Sequence, residues 1–420
     1  MFSNSLKCWL AASVAAIPIM LASIEVRAQQ TWTLHQEFPF QGNGFNGAIP
    51  LSGNLLIAGT QIYGETYSGG VTNDGGLSTG DAGTIYHYTT ASPGTPDYLY
   101  GFSGPDGAYP SGGLVQDAQG NLYGTTAAGG ANNLGTVFKL SPSGAALWTL
   151  TTLHSFALSD GATPLTGVTL GPDGALYGAT WSGGFNQVFG SGVVFKLNRD
   201  GTGFRVMAEF EGYTNSLTNV AVDPQGNVIG TTYNTDAPRG AGSLFKVTPS
   251  GQLSIVVDFL ASETPFGTST GHPIGNLVRD SAGNVYGVLG SVAHNDANGL
   301  SIDQGAGVFK VAAVTHQLSI RAFLPGVTVQ SGVVRDAAGN LYGTTVDGGT
   351  SSTGSVFAVS ATGALSSIAS LPIGNLAPSA GVVLDASGKL WGTSSAGGVK
   401  CSTSSNVTPT GCGTLFSLSH

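Results

Sequence analysis

Few residues in this chain combine the type and the company that chemistry needs. Asp106 and Asp160 occupy equivalent places ahead of an apolar strand, and each is followed by Gly-Ala. Two carboxyls that converge can divide the acid and base roles of glycosidic bond cleavage. His294, Asp296 and Asp303 fall in one stretch between two strand-like segments, 291–305. They offer a metal-binding or acid–base group, although their spacing matches no ligand motif. Trp181 and Phe185 flank Gly183-Gly184, and flat rings beside a glycine turn suit stacking on a sugar.

Each of these has a plainer reading. Asp-Gly is a turn former, and only two of seven copies of the repeat described below keep it. The His294 stretch reads equally as a solvated polar loop, and Trp181 and Phe185 as packing between neighbouring units. There is no strand–turn–helix nucleophile elbow, zinc helix motif or phosphate loop. The glycine-rich stretches recur with a fixed period and belong to turns. No cofactor and no metal site is expected.

The elements that must position these residues come from an internal repeat. Its best copy runs from Gly112-Gly113-Leu114-Val115 through Asp117-Ala118-Gln119-Gly120-Asn121 to Leu122-Tyr123-Gly124-Thr125-Thr126. Gly129-Gly130 and Gly135-Thr136-Val137-Phe138-Lys139-Leu140 follow. The Tyr-Gly step recurs at Tyr63, Tyr123, Tyr177, Tyr286 and Tyr342, as Ile229-Gly230 and as Trp391-Gly392, with a period of roughly 55 residues. Each copy reads as four strands. An apolar strand a leads into an Asp-x-x-Gly turn, then strand b (Leu-Tyr-Gly-Thr-Thr), strand c (Gly-Thr-Val-Phe-Lys-Leu) and a variable strand d.

Seven such units predict an all-β, seven-bladed β-propeller with four-stranded antiparallel blades. The chain begins with a strand-d-like segment, Trp32 to Phe38, and ends on a strand c, Gly413 to Leu418. The N-terminal strand is therefore expected to join the C-terminal blade, close the ring and remove an exposed edge. The longest b–c connections are 71–82, 291–305 and 399–411, and variable loops on a rigid scaffold are where binding concentrates.

The pattern Gly-Leu-x-x-Asp-x-x-Gly-Asn-Leu-Tyr-Gly-Thr-Thr-x-x-Gly-Gly, followed by Gly-Thr-Val-Phe-Lys-Leu, resembles the tandem repeat of bacterial extracellular proteins known as the Gloeobacter/Verrucomicrobia repeat. The resemblance implies a propeller and supplies no catalytic residue. Two copies depart from it. Ile57 stands where the turn Asp is expected, and Val228-Ile229 replaces Leu-Tyr.

Composition agrees with this reading. The chain has 420 residues with 66 glycines, and 9% of residues are charged against a usual quarter. Scattered Lys and Arg with a net charge of −9 exclude a nucleic-acid or anionic-lipid surface. Lys7, the apolar run 9–22 and Val26-Arg27-Ala28 predict a signal peptide over residues 1–28. That leaves 29–420 as one propeller domain with no membrane span, secreted or periplasmic, and expected to be a monomer. Cys401 and Cys412, the two cysteines of the mature chain, are expected to form a disulfide. The function expected is non-catalytic binding of a glycan or an extracellular protein by the b–c and d–a loops. The alternatives are a polysaccharide hydrolase or lyase using axial carboxylates, and a structural surface protein.

Overall fold

The structure is a computed structural model. It describes residues 31–40, 50, 55–69, 82–144, 147–184, 192–210, 220–233, 241–259, 271–295, 301–350, 352–371, 378, 380–396 and 412–420, with backbone only at 293–295 and 301–304. Residues 32–420 form one compact unit. Seven antiparallel sheets follow one another along the chain, each ordered a–b–c–d. The protein is a seven-bladed β-propeller. The helical content of the described residues is a single 3₁₀ turn, Leu158–Asp160.

The seventh blade combines both ends of the chain. Val383–Leu384, Leu390–Ser394 and Thr414–Ser419 supply strands a to c, and the N-terminal Thr33–Pro39 supplies strand d. Leu34 lies opposite Leu418 and Phe38 opposite Leu415. Blade 7 then packs on blade 1. Phe38, Trp391 and Leu415 share a core with Ile62, Tyr86 and Tyr88.

The repeated residues have repeated jobs. Strand b needs glycine after the tyrosine because the strand-c aromatic ring lies flat over it. A Cβ would fall 2.6 Å from Phe138 Cζ at Gly124 and 2.5 Å from Phe416 Cζ at Gly392. In blade 1 the covering residue is Tyr86 rather than Phe, over Gly64. The strand-c lysines sit above the strand-b rings of their own blades, Lys196 over Tyr177 at 5.1 Å and Lys310 over Tyr286 at 5.7 Å. Their recurrence is thereby explained as cation–π cover. At the other end of strand b a buried hydroxyl pair ties it to strand c, as in Thr126 with Thr136 (2.8 Å) and Thr345 with Ser355 (2.9 Å).

Strand a is shorter in its ladder than the apolar run suggests. In blade 2, Ala108–Pro110 pairs with the top of strand b and Val115–Gln116 with its base, and the glycines between swing toward the axis. There the peptides of successive blades touch. Gly167 N–H donates to the Gly112 carbonyl at 2.9 Å, and a Cβ on Gly112 would lie 2.1 Å from Gly167 N. No side chain fits that ring of contacts.

Candidate functional site

The a–b and c–d turns mark one end of the propeller, and the b–c and d–a connections mark the other. At the first end the turn aspartates are fully engaged. Asp280 accepts from Asn284 N–H (2.9 Å), Asn284 Nδ2 (2.8 Å) and the Tyr286 hydroxyl (3.0 Å). Asp336 repeats this with Asn340 and Tyr342, and Asp385 accepts from the Trp391 indole N–H at 2.9 Å. Burial alone would raise the Asp280 and Asp117 carboxyls, but these hydrogen bonds hold both below their ordinary value. A polar groove of about 530 Å³ runs between blades 2 and 3 here, past Asp117, Lys139, Asp173 and Arg199. Arg199 pairs with Asp117 there at 3.3 Å and, at the groove's edge, Lys196 pairs with Asp173 at 2.5 Å.

Asp106 and Asp160 lie at the opposite end, in the d–a connections, and both are absorbed by their own turns. Asp106 accepts from Ser103 N–H (2.8 Å), Ser103 Oγ (2.9 Å) and the Tyr100 hydroxyl (2.5 Å). Asp160 accepts from Ala157 N–H at 2.8 Å and lies 3.2 Å from His154 Nε2. The two carboxylates are equivalent by repeat, each pairing with a strand-d side chain six positions earlier.

The same end carries a set of aromatic side chains. The residue just after the threonine at the end of strand b is Tyr67 in blade 1, Trp181 in blade 3 and Tyr233 in blade 4. Trp181 is 37% exposed. Tyr67 stacks on Tyr109 at 4.7 Å and 18°, and Tyr233 meets His272 at 4.5 Å and 32°. Tyr109 and His272 both precede a proline and both have left-handed backbones, with φ of 61° and 59°; Thr163 at the equivalent place has 52°. A non-glycine residue there is strained, and more so before proline. It is held by an N–H donated to the preceding blade, from Tyr109 to the Ala82 carbonyl (2.8 Å) and from His272 to that of Ala241 (2.9 Å). Strain held in this way presents the two rings at the surface.

Between the aromatic face and the axis lies a buried carboxyl. Glu65 takes the place of the first Thr in the Gly-Thr-Thr step and is 6% exposed. Its Oε2 accepts from Gly113 N–H at 2.9 Å, and its Oε1 has no partner. Burial pushes the carboxyl up to about 8, against the opposing pull of Gly113. Gly113 also lines an axial cavity of about 410 Å³, bordered by Thr169, Ala221, Asn276 and Arg279. Among the described residues lining this cavity there is no carboxylate.

Other expectations meet the structure as follows. His294 and Asp303 do not share a loop. They are register partners in the extended hairpin Val285–Asn295 and Ser301–Val311, where ladder pairing continues past the body of blade 5 and shortens the connection. Asp296 and Phe185 lie outside the described residues, as do residues 1–28 and Cys401. Cys412 is disulfide-bonded and buried against Phe40 and Leu55. Two strings spell Gly-x-Ser-x-Gly, at 76–80 and 267–271; 76–80 lies outside the described residues, as does all of 267–271 but Gly271.

The repeat model of the Gloeobacter/Verrucomicrobia repeat matches residues 24–219 and 149–317. The chain belongs to this family. No curated protein matches it in sequence. In fold it is similar to an oligogalacturonate lyase in complex with manganese, at 12% identity and a TM-score of 0.56, covering 93% of this chain and 96% of that one. It is also similar to the polysaccharide lyase Uly1, at 11% identity and a TM-score of 0.51, covering 96% and 95%.

For this Gloeobacter/Verrucomicrobia repeat propeller, sequence reasoning found Trp181 but missed Tyr67, Tyr109, Tyr233 and His272. A signal for them existed. The position after the Thr-Thr step is Ala127, Gly290, Val346 and Ser395 in the other blades, so three aromatics there break the repeat. Two further turn aspartates, Asp173 and Asp223, were also passed over. Asp223 sits in an ordinary Asp-x-x-Gly-Asn turn, and Asp173 reaches Tyr177 at 3.0 Å from two positions later. Among the described residues no helix is long and apolar enough to cross a membrane, and no cluster of His, Cys, Asp or Glu is arranged to hold a metal.

Proposed function

We propose that the protein is an exported binding propeller that holds carbohydrate on its b–c and d–a face without cleaving it. The observation that carries this reading is the set of Tyr67, Trp181 and Tyr233 at one repeat position on one face, with Trp181 left 37% exposed. Aromatic rings offer a sugar an apolar surface and a polar rim together. The predicted signal peptide places the chain outside the cytoplasm, where polysaccharide is met. Asp106 and Asp160 are committed to turn hydrogen bonds, which supports binding over hydrolysis.

The test is affinity electrophoresis of the mature protein in gels loaded with different polysaccharides, with mass spectrometry of the polymer afterwards. Retardation without new products supports the reading. Trp181→Ala is expected to weaken retention by about tenfold, or roughly 1.4 kcal/mol, with an unchanged unfolding temperature. The rival is a polysaccharide lyase, favoured by the fold shared with two such enzymes. Cleavage products that vanish in Asp106→Asn or Asp160→Asn would establish it and end the binding-only reading. Retention by no polysaccharide would move the ligand to a protein.

A further inference from the structure

The cations are segregated along the propeller axis. Every Lys and Arg among the described residues stands on the a–b/c–d half of its blade. Lys139, Lys196, Lys246 and Lys310 oppose the second residue of strand b, counted from the a–b turn. Arg199 and Arg205 border the c–d turn of blade 3, and Arg321 donates to the Ala361 carbonyl in the c–d turn of blade 6. Arg279 and Arg335 end their strands a, and Lys389 closes the a–b turn of blade 7.

The aromatic face has the opposite character. Asp106, Asp160 and Asp347 lie in its connections, and Glu209 and Asp258 end strands d there.

We infer that the carbohydrate bound here is an uncharged polysaccharide and not a polyuronate or another polyanion. This rests on the binding reading above. A polyanion laid across Tyr67, Trp181 and Tyr233 would meet the carboxylates of that face, with no Lys or Arg among the described residues there to offset the like charge. A neutral sugar chain meets no such repulsion, and its hydroxyls can donate to the carboxylates at the rim. The carboxylates of this face therefore act as a filter, while the aromatics supply stacking that is indifferent to salt.

The experiment compares neutral polymers (a β-glucan, a xylan, a mannan) with polygalacturonate and alginate, by titration calorimetry on the mature protein at low and high salt. At least one neutral polymer should bind, with an affinity that changes by less than about twofold across the salt range. The polyuronates should bind at least about tenfold more weakly than it. Asp258→Lys, at an exposed position outside the core, should raise polyuronate binding in a salt-sensitive way and leave the neutral polymer unaffected. Tighter binding of a polyuronate than of any neutral polymer overturns this inference and leaves the binding reading standing. Binding of neither class overturns both.

Discussion

Glu37 and Lys389 lie 352 positions apart in the chain and 3.0 Å apart in space. The same carboxylate accepts from the Ser417 hydroxyl at 2.5 Å and from the Tyr88 hydroxyl at 3.2 Å. One side chain of the N-terminal strand thus ties together the a–b turn and strand c of blade 7 and one strand of blade 1. Burial pushes Glu37 up, but the hydrogen bonds from Ser417, Lys389 and Tyr88 together hold it below 4.5.

Glu37→Ala is therefore expected to lower stability by about 2 kcal/mol, the usual worth of hydrogen bonds to a charged group. Because the folded-state value is depressed, this contribution is present above pH 4.5 and is lost as pH falls through the folded value. Thermal unfolding of both proteins from neutral to acid pH checks it. The two melting temperatures should converge on the acid side.

Glu65 should work in the opposite direction. Its folded value is raised from 4.5 to about 8, so its contribution is complete below pH 4.5 and is lost as pH rises through 8. Over that window the protein should lose stability with a slope on the order of 1 kcal/mol per pH unit. Glu65→Gln keeps the shape, cannot ionise, and should flatten that part of the melting curve. A wild-type profile already flat between these values would show that the carboxyl is solvated.

Gly124→Ala should cost roughly 1–3 kcal/mol by overpacking, since its Cβ would meet Phe138 Cζ at 2.6 Å and Leu114 Cδ2 at 3.0 Å. Adding Phe138→Leu should recover part of the loss. Denaturant melts of the single and double variants measure the coupling.

Asp280→Ala removes the acceptor of three hydrogen bonds at once and strands two buried donors. It should destabilise by more than Tyr286→Phe, which removes one bond worth about 1 kcal/mol. Equal effects in urea melts would mean that the turn holds itself without the aspartate.

Asp106→Asn and Asp160→Asn should lower the melting temperature by a few degrees, since Oδ1 can still accept the turn N–H but the Oδ2 that faces Tyr100 or His154 becomes an amide that cannot accept. Neither should change carbohydrate retention in gels by more than about twofold.

The number of blades, the strand order and the closing partner of the last blade were legible in the sequence. Each is set by contacts between residues close in one repeat, or by an unpaired strand at each end that has only the other to join. The Asp-x-x-Gly turn, the Tyr-Gly step and the Phe-Lys pair of strand c meet within a single hairpin, so their spacing records their contacts. Their recurrence along the chain removed ambiguity about register. The candidate face was legible only in part. Tyr67 and Tyr109 are 42 positions apart by number and belong to different blades, as are Tyr233 and His272, so no local pattern links them. Their stacking depends on the angle between neighbouring blades and on a left-handed backbone before proline, which sequence preferences disfavour. Likewise the carboxylates Asp106 and Asp160 carry the right type for acid–base work, and only the folded turns decided that their oxygens are already taken. The gathering of the described cations at one end also needed the fold, because charge along a chain gains a direction in space only when antiparallel strands sort alternate connections to opposite ends.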